Sequence, residues 1–402
     1  MVGAGVFTTS GYALADLQKR EVVLLAWVLG GIVATSGALC YGALARAIPE
    51  SGGEYTFLSR TVHPLAGVAA GWISLIAGFT APIAVTALGL QSYLASTFAL
   101  RGDPRWIGTG AIVCAGLLHG LRLRPGVMAQ NAAVALKLTL IATFVLVGAW
   151  RLPQLPPERL PAVTPDLGDF AVTLVWISFA YSGWNAGVYV AGEVRDPERN
   201  LPRALLIGTG IVTAAYLALN AVFLYSAHFH ELAGRAEVGA IAAEALGGTG
   251  LRRFLTSIVA LALFTSVSSM VMAGPRVYAR MAADGVLPRA FQFEGEVPAR
   301  SVVLQVCLSV AVVWIAELRE LLSYVGFTLG LCAAATVLGL VRLRLREGAE
   351  RVPVPGWPVV PALYVGTTLF ASFYLAQREP RQALIGAATA AIGFVLPRIW
   401  KR

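Results

Sequence analysis

The sequence predicts an all-α, polytopic membrane protein, and three observations carry that prediction. The composition is 57% hydrophobic and only 13% charged, with mean hydropathy +0.71, values that a soluble globular chain of 402 residues does not reach. Apolar runs long enough to cross a roughly 30 Å hydrocarbon core recur along the whole length. One of those runs holds a lysine near its middle.

The runs follow in order. A partial segment, Met1–Leu17, opens the chain, and eleven fuller ones come after it. The first six are Val22–Ala47, Leu65–Thr97, Trp106–Leu118, Met128–Trp150, Phe170–Gly192 and Arg203–His228. The remaining five are Leu251–Pro275, Ser301–Ala316, Glu320–Val341, Pro358–Ala376 and Gln382–Pro397. Trp106–Leu118 is short for a span and Leu65–Thr97 is long, so those boundaries are the loosest. Lipid offers backbone groups no hydrogen-bond partner, so each run is expected to be a helix.

Charge orients the bundle. With alternating loops, one side carries 18 basic residues against 10 acidic ones, among them Arg46, Arg60, Arg195, Arg276, Arg342 and Arg398. The other side is balanced. The positive-inside rule then places the loop Arg46–Pro64 and the C-terminus in the cytoplasm. The sequence pI of about 9.6 therefore reflects topology, and with no basic helix or aromatic platform a nucleic-acid partner is excluded. Of the 31 basic residues only Lys19, Lys137 and Lys401 are lysines, and Ala and Gly abound; this composition suggests a GC-rich prokaryotic genome and hence the cell (inner) membrane.

Lys137 is the costly residue. An ammonium at the centre of Met128–Trp150 costs roughly 2.5–3.5 kcal/mol even on the lenient insertion scale, so an intramembrane role is the default. The alternative is a lysine snorkelling to an interface, which has to span the nine residues from Met128 to Leu136. Cysteines suggest no chemistry: Cys40, Cys114, Cys307 and Cys332 lie in apolar runs without metal-ligand spacing. His228 and His230 sit at a span end beside a polar loop. No metal and no cofactor are expected.

Two of the predicted helices break. Gly3-Ala4-Gly5 precedes the half-helix Val6–Leu17, whose N–H groups and positive dipole end suit a carboxylate. No strand precedes it, so the dinucleotide-binding reading fails. Close packing through small residues is the competing reading. The second break, Phe179-Ala180-Tyr181-Ser182-Gly183-Trp184-Asn185, puts glycine and polar groups at mid-membrane depth. There the carbonyls of Phe179, Ala180 and Ser182 lack intrahelical partners and suit an ammonium. Interrupted helices at positions 1 and 6 of two five-helix halves point to an inverted-repeat secondary transporter, and paired donors and acceptors fit an α-amino acid.

Several motifs carry a family resemblance. Gly3-Ala4-Gly5-Val6-Phe7, Ile48-Pro49-Glu50-Ser51-Gly52-Gly53-Glu54-Tyr55, the block from Phe179 through Glu193-Val194-Arg195-Asp196-Pro197 to Ala204, and Pro275-Arg276 through Asp284-Gly285-Val286-Leu287-Pro288 resemble the amino acid–polyamine–organocation permeases. The helix 6 block resembles their L-type branch. The resemblance implies a five-plus-five core over residues 1–342, with helices 1–5 in 1–150 and helices 6–10 in 170–342, and two peripheral helices in 343–402. It implies a substrate carboxylate on the backbone of Gly3, Ala4 and Gly5, and an amino group on the carbonyls of Val2, Phe179 and Ser182. Ala180, Trp184 and Asn185 complete the expected site, with the Phe179 ring closing over it from outside. It also gives Lys137 the place of a sodium ion, bridging helix 1 to Ser268 and Ser269 of helix 8 as a fixed cation surrogate or a titrating group. Glu193 reads either as an inner gate pairing with Arg276 or as a solvated helix end. Relatives carry half a helix before the first break, so the expectation is either an upstream start encoding about 10–15 further apolar residues, which would enclose the unwound backbone, or a fragment.

The function expected is sodium-independent secondary transport of neutral L-amino acids, by exchange or proton symport, with the amino acid and the lipid bilayer as partners. Whether an accessory subunit or a homo-oligomer forms is left open by the sequence. An enzyme is disfavoured because no Ser/His/Asp set, His-Glu-x-x-His or paired carboxylates fall within the spans. A channel is disfavoured by the absence of a filter repeat. A cationic amino acid or polyamine permease would need a mid-depth carboxylate, which none of Asp16, Glu21, Glu193 or Glu317 supplies. A non-transporting amino-acid sensor is the other alternative.

Overall fold

The computed structural model describes residues 2–98, 102–120, 127–152, 165–292 and 298–400, with the side chains of 127–131, 133, 190, 192, 193 and 396–400 left outside the description. Among the described residues the chain is helical and contains no strand. The first half comprises α1 (Ala4–Leu17), α2 (Arg20–Ala47), the short α3 (Gly53–Thr61), α4 (Pro64–Ile73), α5 (Ala81–Phe98), α6 (Arg105–Gly120) and α7 (Val127–Trp150). The second comprises α8 (Leu167–Tyr181), α9 (Pro197–Tyr225), α10 (Phe229–Leu232), α11 (Val238–Ala283), α12 (Ala299–Ile315), α13 (Leu318–Glu347), α14 (Val359–Arg378) and α15 (Pro380–Trp400). Six continuous helical stretches among them, Arg20–Ala47, Pro64–Phe98, Pro197–Tyr225, Val238–Ala283, Leu318–Glu347 and Val359–Arg378, are each long and apolar enough to cross a membrane. The protein is a multi-pass membrane protein.

The overlong run Leu65–Thr97 has a local explanation. A π-helical stretch, Ser74–Thr80, joins α4 to α5 just before Pro82, whose missing N–H and ring cannot continue an ordinary α-ladder. π-turns of this kind concentrate at functional sites, and this one faces the central cavity through Ser74 and Gly78. Another long element, α11, merges two helices: Gly247 and Gly248 leave helical torsions, and Gly248 has φ +65°. The part before them lies outside the predicted run Leu251–Pro275, because its polar and small residues carry little membrane signal.

Packing follows the logic of lipid, where apolar burial does not draw helices together. Close approach of small residues and interhelical hydrogen bonds do, the latter averaging roughly 0.6 kcal/mol each. A Cβ on Gly326 of α13 would lie 2.6 Å from Val175 Cγ1 of α8, so only glycine lets these helices meet. In the interior, Trp27 Nε1 donates to Ser10 Oγ at 2.9 Å, and Ser10 in turn bonds Asn220, tying α1, α2 and α9 together. Of the last two helices, α15 lies on α4 and α13, whereas α14 packs on α8, α2 and α13 and reaches the cavity with Tyr364, Thr367, Thr368, Ala371 and Ser372.

Candidate functional site

A cavity of about 530 Å³ lies where the two breaks meet. Gly3 stands at the head of α1 in extended conformation, so the first N–H groups of Ala4–Leu17 start beside the cavity without intrahelical partners. Opposite, α8 ends at Tyr181, Ser182 is extended (ψ 159°), and Gly183 adopts φ +89° before a 3₁₀ segment, Trp184–Glu193, begins. A residue with a side chain pays steric strain at that φ, so glycine is what allows the helix to break and restart here.

The breaks touch each other. A Cβ on Gly5 would lie 2.5 Å from both Cα and Cβ of Ala180, so the close-packing reading of this glycine describes its face toward α8. Its N–H belongs to the first turn of α1. Tyr216 of α9 joins the breaks from behind: its hydroxyl donates to the Ala180 carbonyl at 3.1 Å and meets the Gly3 backbone N–H. The Phe179 carbonyl accepts from the Ser182 N–H at 2.8 Å. Two of the three carbonyls expected to be free at the second break thus have partners.

Lys137 is buried on α7, and its ammonium donates to the Val2 carbonyl at 3.3 Å. Ser266 Oγ of α11 reaches the same carbonyl at 3.1 Å and Ala262 O of its own helix at 2.9 Å, sharing its one proton between them. The α11 hydroxyl that meets this point is therefore Ser266. Ser268, two residues on and turned to the other side of α11, pairs with His119 Nε2 of α6 at 2.8 Å. Ser269 lines the cavity and donates to its own helix at Thr265 O, 2.8 Å. An ammonium and a hydroxyl converging on the Val2 carbonyl tie the head of α1 to α7 and α11.

The other expected residues separate. Phe179 and Ser182 line the cavity, as does Ser178, which the sequence did not single out. Trp184 also lines it and is clamped edge-on between Tyr41 (4.7 Å between ring centroids) and Tyr364 (6.4 Å). The Asn185 amide is committed to Glu54 Oε1 at 2.7 Å. Arg276 Nη1 donates within its own helix, to Met272 O at 3.4 Å. The Glu193 side chain, its expected partner, lies outside the described residues. His228, also noted in the sequence, caps α10 with Glu231 in a reciprocal pair.

Away from the arginine-rich end, α1, α8 and α13 are tied together. Arg319 of α13 donates to both carboxylate oxygens of Asp16 on α1 (3.0 and 2.7 Å). Its guanidinium lies over the Trp176 ring of α8 at 4.9 Å and over Tyr12 of α1 at 5.9 Å. Trp176 is held by a 2.7 Å hydrogen bond to Ser323. Three elements that carry the two breaks and the opposing wall are thus pinned by one cation. Beside them, Glu379, in the turn between α14 and α15, has its carboxyl pushed above the usual range by burial, against the opposing pull of Ser323 and Arg319.

Fold and cavity together define a multi-pass helical permease with a central cavity between the start of α1 and the break after α8. The sequence of residues 1–396 matches the amino acid permease family model, and the chain belongs to that family. Among its relatives, the mouse (Mus musculus) Asc-type amino acid transporter 1 is 27% identical, over 100% of this chain and 79% of that protein. The mouse large neutral amino acids transporter small subunit 2 is 28% identical, over 98% of this chain and 77% of that one. The serine/threonine exchanger SteT of Bacillus subtilis (strain 168) is 27% identical, over 92% and 86%.

Proposed function

We propose that the protein moves neutral L-amino acids across the cell membrane by alternating access, as a sodium-independent exchanger or proton symporter. The observation that carries this reading is the convergence of Lys137 and Ser266 on the Val2 carbonyl at the edge of the cavity. That ammonium stands where a coupling cation would otherwise hold the unwound start of helix 1. The N–H groups of Ala4 and Gly5 receive the substrate carboxylate, with the Gly3 N–H held by Tyr216, and carbonyls around Ser182 with the Ser178 hydroxyl receive its ammonium. The apolar and small wall, including Val33, Ala34, Val175, Gly326 and Gly330, takes the side chain.

A neutral side chain is favoured over a cationic one by the wall itself. Its acidic residue is Glu54, and three donors of the protein already occupy that carboxylate. The large neutral amino acids transporter subunit and the serine/threonine exchanger among its relatives agree with this choice by name. Helices α1, α2 and α8, the 3₁₀ segment and α9 form the moving part against the rest of the core, with the arginine-rich end in the cytoplasm of a prokaryotic cell. The Asp16–Arg319 cover is then the outer closure.

The test is uptake into proteoliposomes with a panel of radiolabelled amino acids. Saturable uptake of neutral amino acids, accelerated by internal amino acid in the exchange case and unchanged when choline replaces sodium, is the expected result. Steep sodium dependence, or preference for cationic substrates, overturns the reading.

A further inference from the structure

The motif Ser51-Gly52-Gly53-Glu54 has so far been given no task, and Glu54 was expected in a cytoplasmic loop. It is instead 5% exposed and lines the cavity. Its Oε1 accepts from the Tyr41 hydroxyl at 3.0 Å and from Asn185 Nδ2 at 2.7 Å, and its Oε2 accepts from the Tyr189 hydroxyl at 2.6 Å. All three donors are uncharged. An ionised carboxylate is acceptor-only, so it can serve them all; a glutamine amide in its place cannot.

The partners sit at telling places. Asn185 and Tyr189 belong to the 3₁₀ segment, on the far side of the Gly183 break from α8. Tyr41 belongs to α2, which holds Trp184 edge-on. The glycines fit the same contact. Gly52 and Gly53 have φ +125° and +56°, which turn the chain sharply into α3. A Cβ on Gly53 would fall 2.4 Å from Tyr189 Cε1, so only glycine lets that ring lie flat against the turn with its hydroxyl on Glu54. The motif is a socket shaped for one side of the 3₁₀ segment.

We infer that Glu54, presented by Gly52-Gly53, is the latch that holds the second half of the broken helix over the cytoplasmic end of the cavity, and that releasing Asn185 and Tyr189 from it lets that segment swing about Gly183 to open the exit. Glu54 is thus a positioning residue that acts through the segment. The inference rests on the alternating-access reading for its purpose, but the latch itself is tested without transport.

Cys332 of α13 lines the same cavity and is the native reporter. In a chain with Cys40, Cys114 and Cys307 changed to serine, a membrane-impermeant maleimide is added to the cytoplasmic face of inside-out vesicles. Glu54→Gln and Tyr189→Phe should each raise the rate of Cys332 labelling by about tenfold, the shift expected from losing one hydrogen bond to a charged group. The double variant should exceed Glu54→Gln little, because both changes open one latch. Tyr189→Phe keeps the carboxylate beside the thiol, so a rise there cannot come from altered charge. A rise confined to Glu54→Gln, or no rise in either variant, overturns the latch. Altered labelling without amino acid uptake by the parent chain would instead leave the latch standing and sink the transport reading.

Discussion

At the scale of single residues, Lys137 shows what sequence reading reaches and where it stops. Its cost in lipid marks it out with no knowledge of the fold. Its partner is harder to find, because hydroxyls two positions apart on a helix point about 200° apart and only the packed register decides between them. Thr265-Ser266-Val267-Ser268-Ser269 announces a polar face, and the structure selects Ser266. Tyr216 gives no signal at all: one tyrosine in an apolar run looks like packing until its hydroxyl is seen between Gly3 and Ala180. Lys137→Ala should therefore lower uptake by roughly 10–100-fold, the range for a hydrogen bond to a charged group. Ser266→Ala should lower it by about tenfold or less, as for a neutral bond, and Ser268→Ala by less again. Equal losses in Ser266→Ala and Ser268→Ala, measured on monodisperse protein, would remove Ser266 from the site. Gly5→Val introduces a side chain that overlaps Ala180. It should abolish binding together with thermal stability in detergent, whereas Tyr216→Phe should weaken binding by about tenfold with the protein still folded.

At the scale of elements, the break after α8 was legible because glycine and polar groups at mid-depth contradict the pattern around them, while Gly3 marks the start of α1. The partners of that break were less legible. Phe179 and Ala180 carbonyls at a helix end look free in one dimension, while in three a turn and a tyrosine satisfy them. The outer cover was missed for a related reason. Asp16, Trp176 and Arg319 are far apart in sequence, and each looks like an ordinary residue near a span end. Packed, Arg319 joins α1, α8 and α13 through two hydrogen bonds from its Nη2 to the Asp16 carboxylate and through two ring faces. The planar guanidinium stacks on the rings while it donates, which an ammonium reproduces only in part. Arg319→Ala should expose Ser178, replaced by cysteine as a reporter, to impermeant reagent added from outside, and Arg319→Lys should restore only part of the protection. Protection unchanged in Arg319→Ala would show that the aromatic pair Tyr12 and Trp176 closes this end without the cation.

At the scale of the whole molecule, the all-helical, multi-pass character was legible because long apolar runs satisfy their backbone groups in lipid as helices, and six helices are long and apolar enough to cross. The wall of the cavity was not. α14 reads like a peripheral helix, yet its small and hydroxyl residues face inward, a difference of helix rotation that mean hydropathy does not encode. Orientation is the remaining global property, and the proposal for it rests on charge alone. Moving arginines across the bilayer during insertion is opposed, so the side richer in them is the one we propose for the cytoplasm. In the folded chain that side gathers α3 with Arg60 and the end of α13 with Arg342, Arg344 and Arg346. The Glu54 latch is at this end too, beside α3, and the Asp16–Arg319 cover at the other. Orientation therefore fixes which closure faces which solution, and an inverted insertion would exchange the roles of the two. A protease site placed in the turn at Gly348 should be cut in inside-out vesicles and resist cleavage in intact cells. A site at Gly234, in the turn after α10, should behave oppositely. If Gly348 is cut from outside, the outer and inner assignments of both closures reverse together, and the vesicle experiments on Cys332 and Ser178 should then report from the opposite faces.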